Sequence, residues 1–288
     1  MKKTIVTVAA TLFGAGVMCA QTFPAINVAS DARTFALGGT ADRDAASFLL
    51  EDKTMDAGLS YMSWSPSVVG TTVFNIDAFA GMGPVGIGVR YRNFGEQPYD
   101  LTNESGVTNG TFDPSESVIG INAAYVVGGK IAFGAGINSV SVKLGAEAQA
   151  SAVAADVFVA LHSNSLTAEL SVNNLGGKLD FGGEEPQSLP SLIRVSGGYA
   201  LDFGLNLQAE ADYVLDGGLM AGAGAEYVLA DIASIRAGYH FGNSLNVVQS
   251  YASLGAGVKF VGIALDFTYI LASDTLGGSF MAGLRYSF

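Results

Sequence analysis

The end of the chain alternates without a break. Gly278, Phe280, Ala282, Leu284, Tyr286 and Phe288 fall on one face, and Ser279, Met281, Gly283, Arg285 and Ser287 on the other. A period of two is the signature of a strand. Two earlier segments repeat the pattern. Ala252, Leu254, Ala256, Val258 and Phe260 alternate with Ser253, Gly255, Gly257 and Lys259; Ile263, Leu265, Phe267, Tyr269 and Leu271 alternate with Ala264, Asp266, Thr268 and Ile270. Each segment is about ten residues long, enough to cross a bilayer when tilted.

Carried back along the chain, the same reading predicts fourteen strands: 57–64, 71–80, 85–94, 118–127, 131–142, 148–161, 166–173, 191–200, 205–215, 219–227, 234–241, 252–260, 263–271 and 277–288. In the fifth, the apolar parity changes from Phe133, Ala135 and Ile137 to Val140 and Val142, which predicts a bulge near Asn138 and Ser139. An even strand number suits a single-chain bacterial barrel. The connections agree with it. Those at 81–84, 128–130, 162–165, 201–204, 230–231 and 261–262 are short and share one side; the longest, 95–116, 174–190 and 242–249, all lie on the other. The predicted fold is all-β: a 14-stranded antiparallel transmembrane β-barrel over 55–288. Its final strand closes the wall with Phe280, Leu284, Tyr286 and Phe288 facing outer-membrane lipid.

Residues 1–20 read as a secretory signal, with Lys2 and Lys3 ahead of an apolar run and Ala20 as the cleavage edge. Cys19 is the only cysteine, so cleavage there leaves no thiol and excludes disulfides and thiol chemistry. Residues 21–54 mix Ser30, Asp31, Asp42, Asp44 and Glu51 with Ala36, Leu37, Leu49 and Leu50, with a short helix predicted over 42–50. From the residues alone this segment is either a periplasmic tail or a plug in the lumen.

Composition sharpens the picture. Charged residues are only 14% and glycines number 38, which together with period-two patterning favours a membrane barrel over a soluble sandwich. Removing Lys2 and Lys3 leaves 12 basic against 26 acidic residues, a net of −14, so nucleic acid is not an expected partner. The predicted inward face carries Asp77, Asp156, Glu169, Glu210, Asp212, Glu226 and Asp266 against Arg90, Arg92, Arg194, Arg236, Lys259 and Arg285. Seven acids against six bases predict a lumen braced by paired charges, since charge removed from water needs a partner. His162 and His240 are too isolated for a metal site. No nucleophile elbow occurs, and Gly222-Ala223-Gly224 lies inside a strand, not before a helix. The chain reads as a non-enzyme without a cofactor, a monomeric barrel of the bacterial outer membrane.

Ser171-Val-Asn-Asn-Leu-Gly-Gly-Lys-Leu, Leu189-Pro190, Ile193-Arg194 and Gly197-Gly198-Tyr199 resemble a stretch of the PorV/PorQ family, barrels linked to type IX secretion in Bacteroidetes. Ala223-Gly-Ala-Glu-Tyr, Ile235-Arg-Ala-Gly-Tyr and Leu254-Gly-Ala-Gly resemble it downstream, as do Ser30-Asp-Ala-Arg and Leu37-Gly-Gly-Thr-Ala-Asp near the start. The resemblance implies an accessory role in secretion or surface attachment, with secreted cargo or secretion-system proteins as partners of the outer loops. That family is similar in turn to FadL-type transporters, which implies that 21–54 is a hatch and that a small hydrophobic molecule is the alternative ligand. Uptake of such a molecule predicts an apolar pocket around Met62, Phe79, Phe158 and Met281. The family's Asn-Pro-Ala motif is replaced here by Phe48-Leu-Leu-Glu-Asp-Lys-Thr-Met. A third reading is a structural barrel with a closed lumen.

Overall fold

The computed structural model describes residues 24–288 apart from 41, 52, 65–70, 103–106, 146–147, 183–184, 216, 244–245, 247 and 274–275. The signal segment lies outside the described residues. In chain order the strands are β1 (Met55–Trp64), β2 (Thr71–Met82), β3 (Val85–Gly95), β4 (Tyr99–Thr102), β5 (Thr108–Phe112), β6 (Ser115–Val127), β7 (Ile131–Lys143), β8 (Gln149–Ser163) and β9 (Leu166–Leu175). They continue with β10 (Lys178–Leu179), β11 (Gln187–Ser188), β12 (Leu192–Ala200), β13 (Leu205–Val214), β14 (Gly218–Leu229), β15 (Ala233–Phe241), β16 (Tyr251–Phe260), β17 (Ile263–Ala272) and β18 (Phe280–Ser287). Fourteen of them close an antiparallel barrel, while β4–β5 and β10–β11 form two small hairpins outside the wall order.

The barrel closes where β18 pairs with β1, from Asp56 opposite Ser287 to Ser63 opposite Phe280. The backbone N–H groups of Thr54 and Met55 donate to the Phe288 carbonyl at 3.0 and 2.9 Å, so the last residue seals the seam. Outward positions form an exposed apolar belt that includes Leu59, Ile76, Ile121, Phe133, Leu207, Ile235, Leu254, Leu265 and Leu284. Water would not tolerate such a belt; lipid requires it.

The wall departs from the sequence pattern at two places. No bulge occurs near Asn138, because β7 pairs in unbroken register with β6 and β8 through that point. Val140 and Val142 face inward and are buried, since the lumen at the long-loop end is apolar. Register shifts lie instead on β16–β17, between Ala252 and Ser253, and on β8–β9, between Ala155 and Val157. There Asn174 is left-handed (φ 60°), and its N–H donates to the Asp156 carboxylate at 2.8 Å in place of a ladder partner. The expected protruding loop 174–190 also turns in: Leu179 and Leu189 are buried in the lumen cluster.

Three short helices occupy the lumen: α1 (Pro24–Asn27), α2 (Ala32–Ala36) and α3 (Ala45–Leu49). At four or five residues none would persist alone. Packing and caps hold them. Asp31 accepts from the Thr34 N–H at 2.8 Å, and Asp44 with Ser47 forms a capping box. Ala36, Leu37, Ala45, Ala46 and Phe48 have no exposed surface. α2 packs on β15–β18 and α3 on β2, β3 and β6–β8.

Candidate functional site

The site is the lumen with its hatch. At the long-loop end it is apolar. Val28, Ala32 and Phe35 of the hatch pack among Met62, Trp64, Phe94, Tyr251 and Met281, roofed by Leu179, Leu189, Val248 and Leu276. Trp64 meets Phe94 edge-on at 6.0 Å, and Phe35 meets Tyr251 at 5.1 Å. A second cluster lies around α3, where Phe48 stacks on Phe79 at 5.6 Å and Ala45 and Ala46 pack with Phe158. The four residues expected around one apolar pocket therefore divide: Met62 and Met281 belong to the first cluster, Phe79 and Phe158 pack around α3. Hatch side chains fill both places.

The hatch backbone touches the wall where the wall has no side chains. A Cβ on Gly222, Gly224, Gly238 or Gly255 would collide with the Ala36–Gly38 segment. Gly38 and Gly39 turn there in the left-handed region, which favours glycine. Thr268 Oγ1 donates to the Ala32 carbonyl at 2.5 Å, Ser253 Oγ to the Ala36 carbonyl at 3.0 Å, and His240 Nδ1 to the Gly38 carbonyl at 3.1 Å. His240 also stacks on Tyr251. The Gly222-Ala223-Gly224 stretch thus belongs to a seat for the hatch.

Ion pairs bolt hatch to wall. Arg285 binds Asp56 and Asp77, the latter at 2.8 Å, and reaches Asp31 of the hatch at 3.5 Å. Glu226 joins hatch Arg33 at 2.8 Å to Arg236 at 2.7 Å, and Arg236 continues to Asp266 at 2.5 Å. Arg43 bridges Glu51 and Asp56 at 2.9 and 3.0 Å. Arg90 reaches Asp42 at 3.4 Å and donates to the Arg43 carbonyl. Ser30 also donates to Asp42. Burial raises the Asp42 carboxyl, but Arg90 and Arg92 outweigh it and hold it below the usual carboxylate range. Arg92 donates to Asn75 Oδ1 at 2.6 Å and to the Ile26 carbonyl at 3.4 Å.

The other expected lumen charges sit elsewhere on the wall. Arg194 forks onto Asp212 with two 2.8 Å bonds and reaches Glu210 at 3.1 Å. Asp156 takes Asn138 Nδ2 at 2.5 Å. Glu169 lines a cavity, and Lys259 stands exposed at the short-turn rim. The sequence pattern missed the hatch charges Asp31, Arg33, Asp42 and Arg43, which no periodicity assigns to the barrel. It missed Asp56 by starting the first strand at 57, two residues after β1 begins at Met55; Gly58 and Ser60 already point the same way.

Three cavities matter. One of about 360 Å³ lies under α2 at the short-turn end, lined by Arg33, Ser234, Arg236, Lys259, Asp266 and Arg285 among others. A second of about 390 Å³ lies against β8, β9, β12 and β13, lined by Asp42, Arg43, Glu169, Ser196, Asn206 and Gln208 among others. A third of about 80 Å³ sits farther in on that wall, with Asp42, Arg90, Asn138, Asp156, Asn174 and Arg194 around it.

No protein-family model matches the chain, and no curated protein matches it. Solved structures do. The toluene transporter TbuX of Ralstonia pickettii is 13% identical with a TM-score of 0.60, covering 91% of this chain and 98% of its own. The toluene transporter TodX of Pseudomonas putida is 12% identical with a TM-score of 0.58, covering 95% and 98%. A TodX variant described as a monoaromatic hydrocarbon channel gives 12% and 0.62, covering 90% and 98%. The chain therefore has a FadL-like barrel fold.

Proposed function

We propose that this chain is an outer-membrane barrel of the FadL type, through which a small hydrophobic molecule diffuses passively past the 24–54 hatch into the periplasm. The observation that carries the reading is the apolar, aromatic-lined outer half of the lumen, built jointly by hatch and wall around Trp64, Phe94, Phe35 and Tyr251. Hatch and roof side chains fill that space, so a solute would enter by displacing them among apolar partners, and the fold shared with toluene transporters supports the same reading. The short-turn end, where the wall begins at Met55 and ends at Phe288, is taken as periplasmic. The test is uptake of a labelled monoaromatic compound by cells stripped of their own hydrophobic-solute channels. Expression of this chain should raise uptake severalfold over empty vector; uptake equal to vector overturns the reading.

A second reading, surface delivery of secreted proteins in the manner of PorV/PorQ, is favoured by the bolting of the hatch and the roof over the lumen, which suit a barrel that passes nothing. The β4–β5 hairpin, whose Tyr99 and Val107 are exposed, offers a contact surface. Native mass spectrometry of the gently extracted protein separates the two. A co-purified secreted or secretion-machinery protein favours delivery, and the barrel with a bound apolar molecule alone favours uptake.

A further inference from the structure

The lumen has two vestibules of similar size at its short-turn end, and they end differently. The one beneath α2 stops at the hatch. Its ceiling includes Asp31, Ala32 and Arg33, and above them the hatch backbone lies on the glycines of β14 and β15, with the Ala36 methyl against Gly255 of β16. No side-chain rotation opens a gap there, because backbone meets backbone. The one against β8, β9, β12 and β13 does not stop. Four residues farther along β8 and β9, and two along β12, the same wall lines the third cavity: Ala160 gives way to Asp156, Glu169 to Asn173 and Ser196 to Arg194. Asp42 borders both spaces. Between them stands Asp42, its side chain held by Ser30 and by Arg90 at 3.4 Å.

The geometry points to an off-centre passage along the β8–β9–β12–β13 wall, pinched at the Asp42–Arg90 pair, with the α2 side permanently sealed. This deepens the uptake reading by assigning its route and its gate-forming residues, and it rests on that reading only for the solute. A pinch made of two side chains opens by rotamer change, whereas the glycine seat opens only if the hatch leaves. The third cavity is also where β9 is bulged, so the wall there carries amide side chains, Asn138, Asn173 and Asn174, in place of close-packed apolar ones.

The test is cysteine labelling, since cleavage after Ala20 removes the chain's single cysteine. Asn138→Cys places a thiol in the third cavity, and 2-hydroxyethyl methanethiosulfonate is the neutral probe, applied to the full mature barrel in detergent. Asp42→Ala should speed labelling about tenfold, the factor that about 1.4 kcal/mol off an opening barrier gives. Ser196→Trp, filling the lower vestibule, should abolish that gain. Ser234→Trp, filling the dead-end vestibule, should leave the rate where it was. Heat-modified gel migration verifies that each variant is a folded barrel. Folded variants whose rates ignore Asp42→Ala, or respond to Ser234→Trp as strongly as to Ser196→Trp, overturn the proposal. Labelling reads continuity of space alone. A route found here in a barrel that shows no uptake would sink the uptake reading and leave the route standing; uptake without this labelling pattern would do the reverse.

Discussion

The two sides of the lumen solve opposite problems. On the β14–β18 side the wall gives up side chains at Gly222, Gly224, Gly238 and Gly255, and the hatch backbone moves into the space. On the β8–β13 side the wall keeps polar side chains, and cavities of about 390 and 80 Å³ remain between it and the hatch. Both walls border a vestibule at the short-turn end, of about 360 and 390 Å³, but farther in one wall is closed by contact with the hatch and the other keeps room. The lesson concerns glycine in barrel strands: a row of inward glycines marks where something other than water lies against the wall.

The comparison can be broken most forcefully at Arg285. Arg285→Ala leaves Asp56 and Asp77 buried without their shared cation on the contact side. Removing one partner of a buried pair costs about 3–5 kcal/mol. A urea unfolding series should show a loss of that order, and a loss under about 1 kcal/mol would mean that water replaces the pair. Next come the glycines. Gly238→Ala pushes a Cβ into the Gly38 backbone and should cost about 1–3 kcal/mol, as overpacking does. Gly198→Ala, on the inner face of the roomy wall, meets only the Thr167 Oγ1 closely, at 2.7 Å, a side-chain end that can turn aside, so it should change the midpoint less. Equal effects would erase the distinction between the walls. Smaller still is Asp44→Ala, which removes the N-cap of α3 and should cost about 1 kcal/mol in the same series.

Acid sharpens the picture from the hatch side. The Asp42 carboxyl lies below its ordinary value near 3.8, so its stabilising charge is fully present above that pH and is lost as pH falls through the lower folded value. Glu51 behaves alike: burial raises it, but Arg43 and Lys53 hold it below its ordinary 4.5. Hatch seating should therefore hold from neutral pH down to about 4 and weaken only below it. Labelling of the Asn138→Cys thiol, corrected for the probe's own pH dependence, measures this; loosening already at pH 6 would contradict it.

Much of the wall was legible in the chain. Strand number, outward faces and the division into short and long connections all follow from period-two patterning, because lipid imposes it on every strand. The apparent bulge at Val140 and Val142 shows where that logic stops. It assumes a polar interior, and at the long-loop end the interior is a packed apolar core. The hatch was the least legible part. Arg33 and Glu226 are 193 residues apart, and nothing local in either announces the other. Gly222 and Gly224 were visible as inward glycines, but their meaning depends on what lies against them.

The most direct test of a seated hatch is hydrogen–deuterium exchange on the intact barrel. The amides of Phe35, Leu37, Gly38 and Gly39 donate hydrogen bonds to hatch carbonyls in the buried turn. The account predicts that these amides exchange as slowly as those of β14 and β15 beside them. Exchange at the rate of an exposed loop, with the wall strands still protected, would mean that the hatch does not rest on its glycine seat.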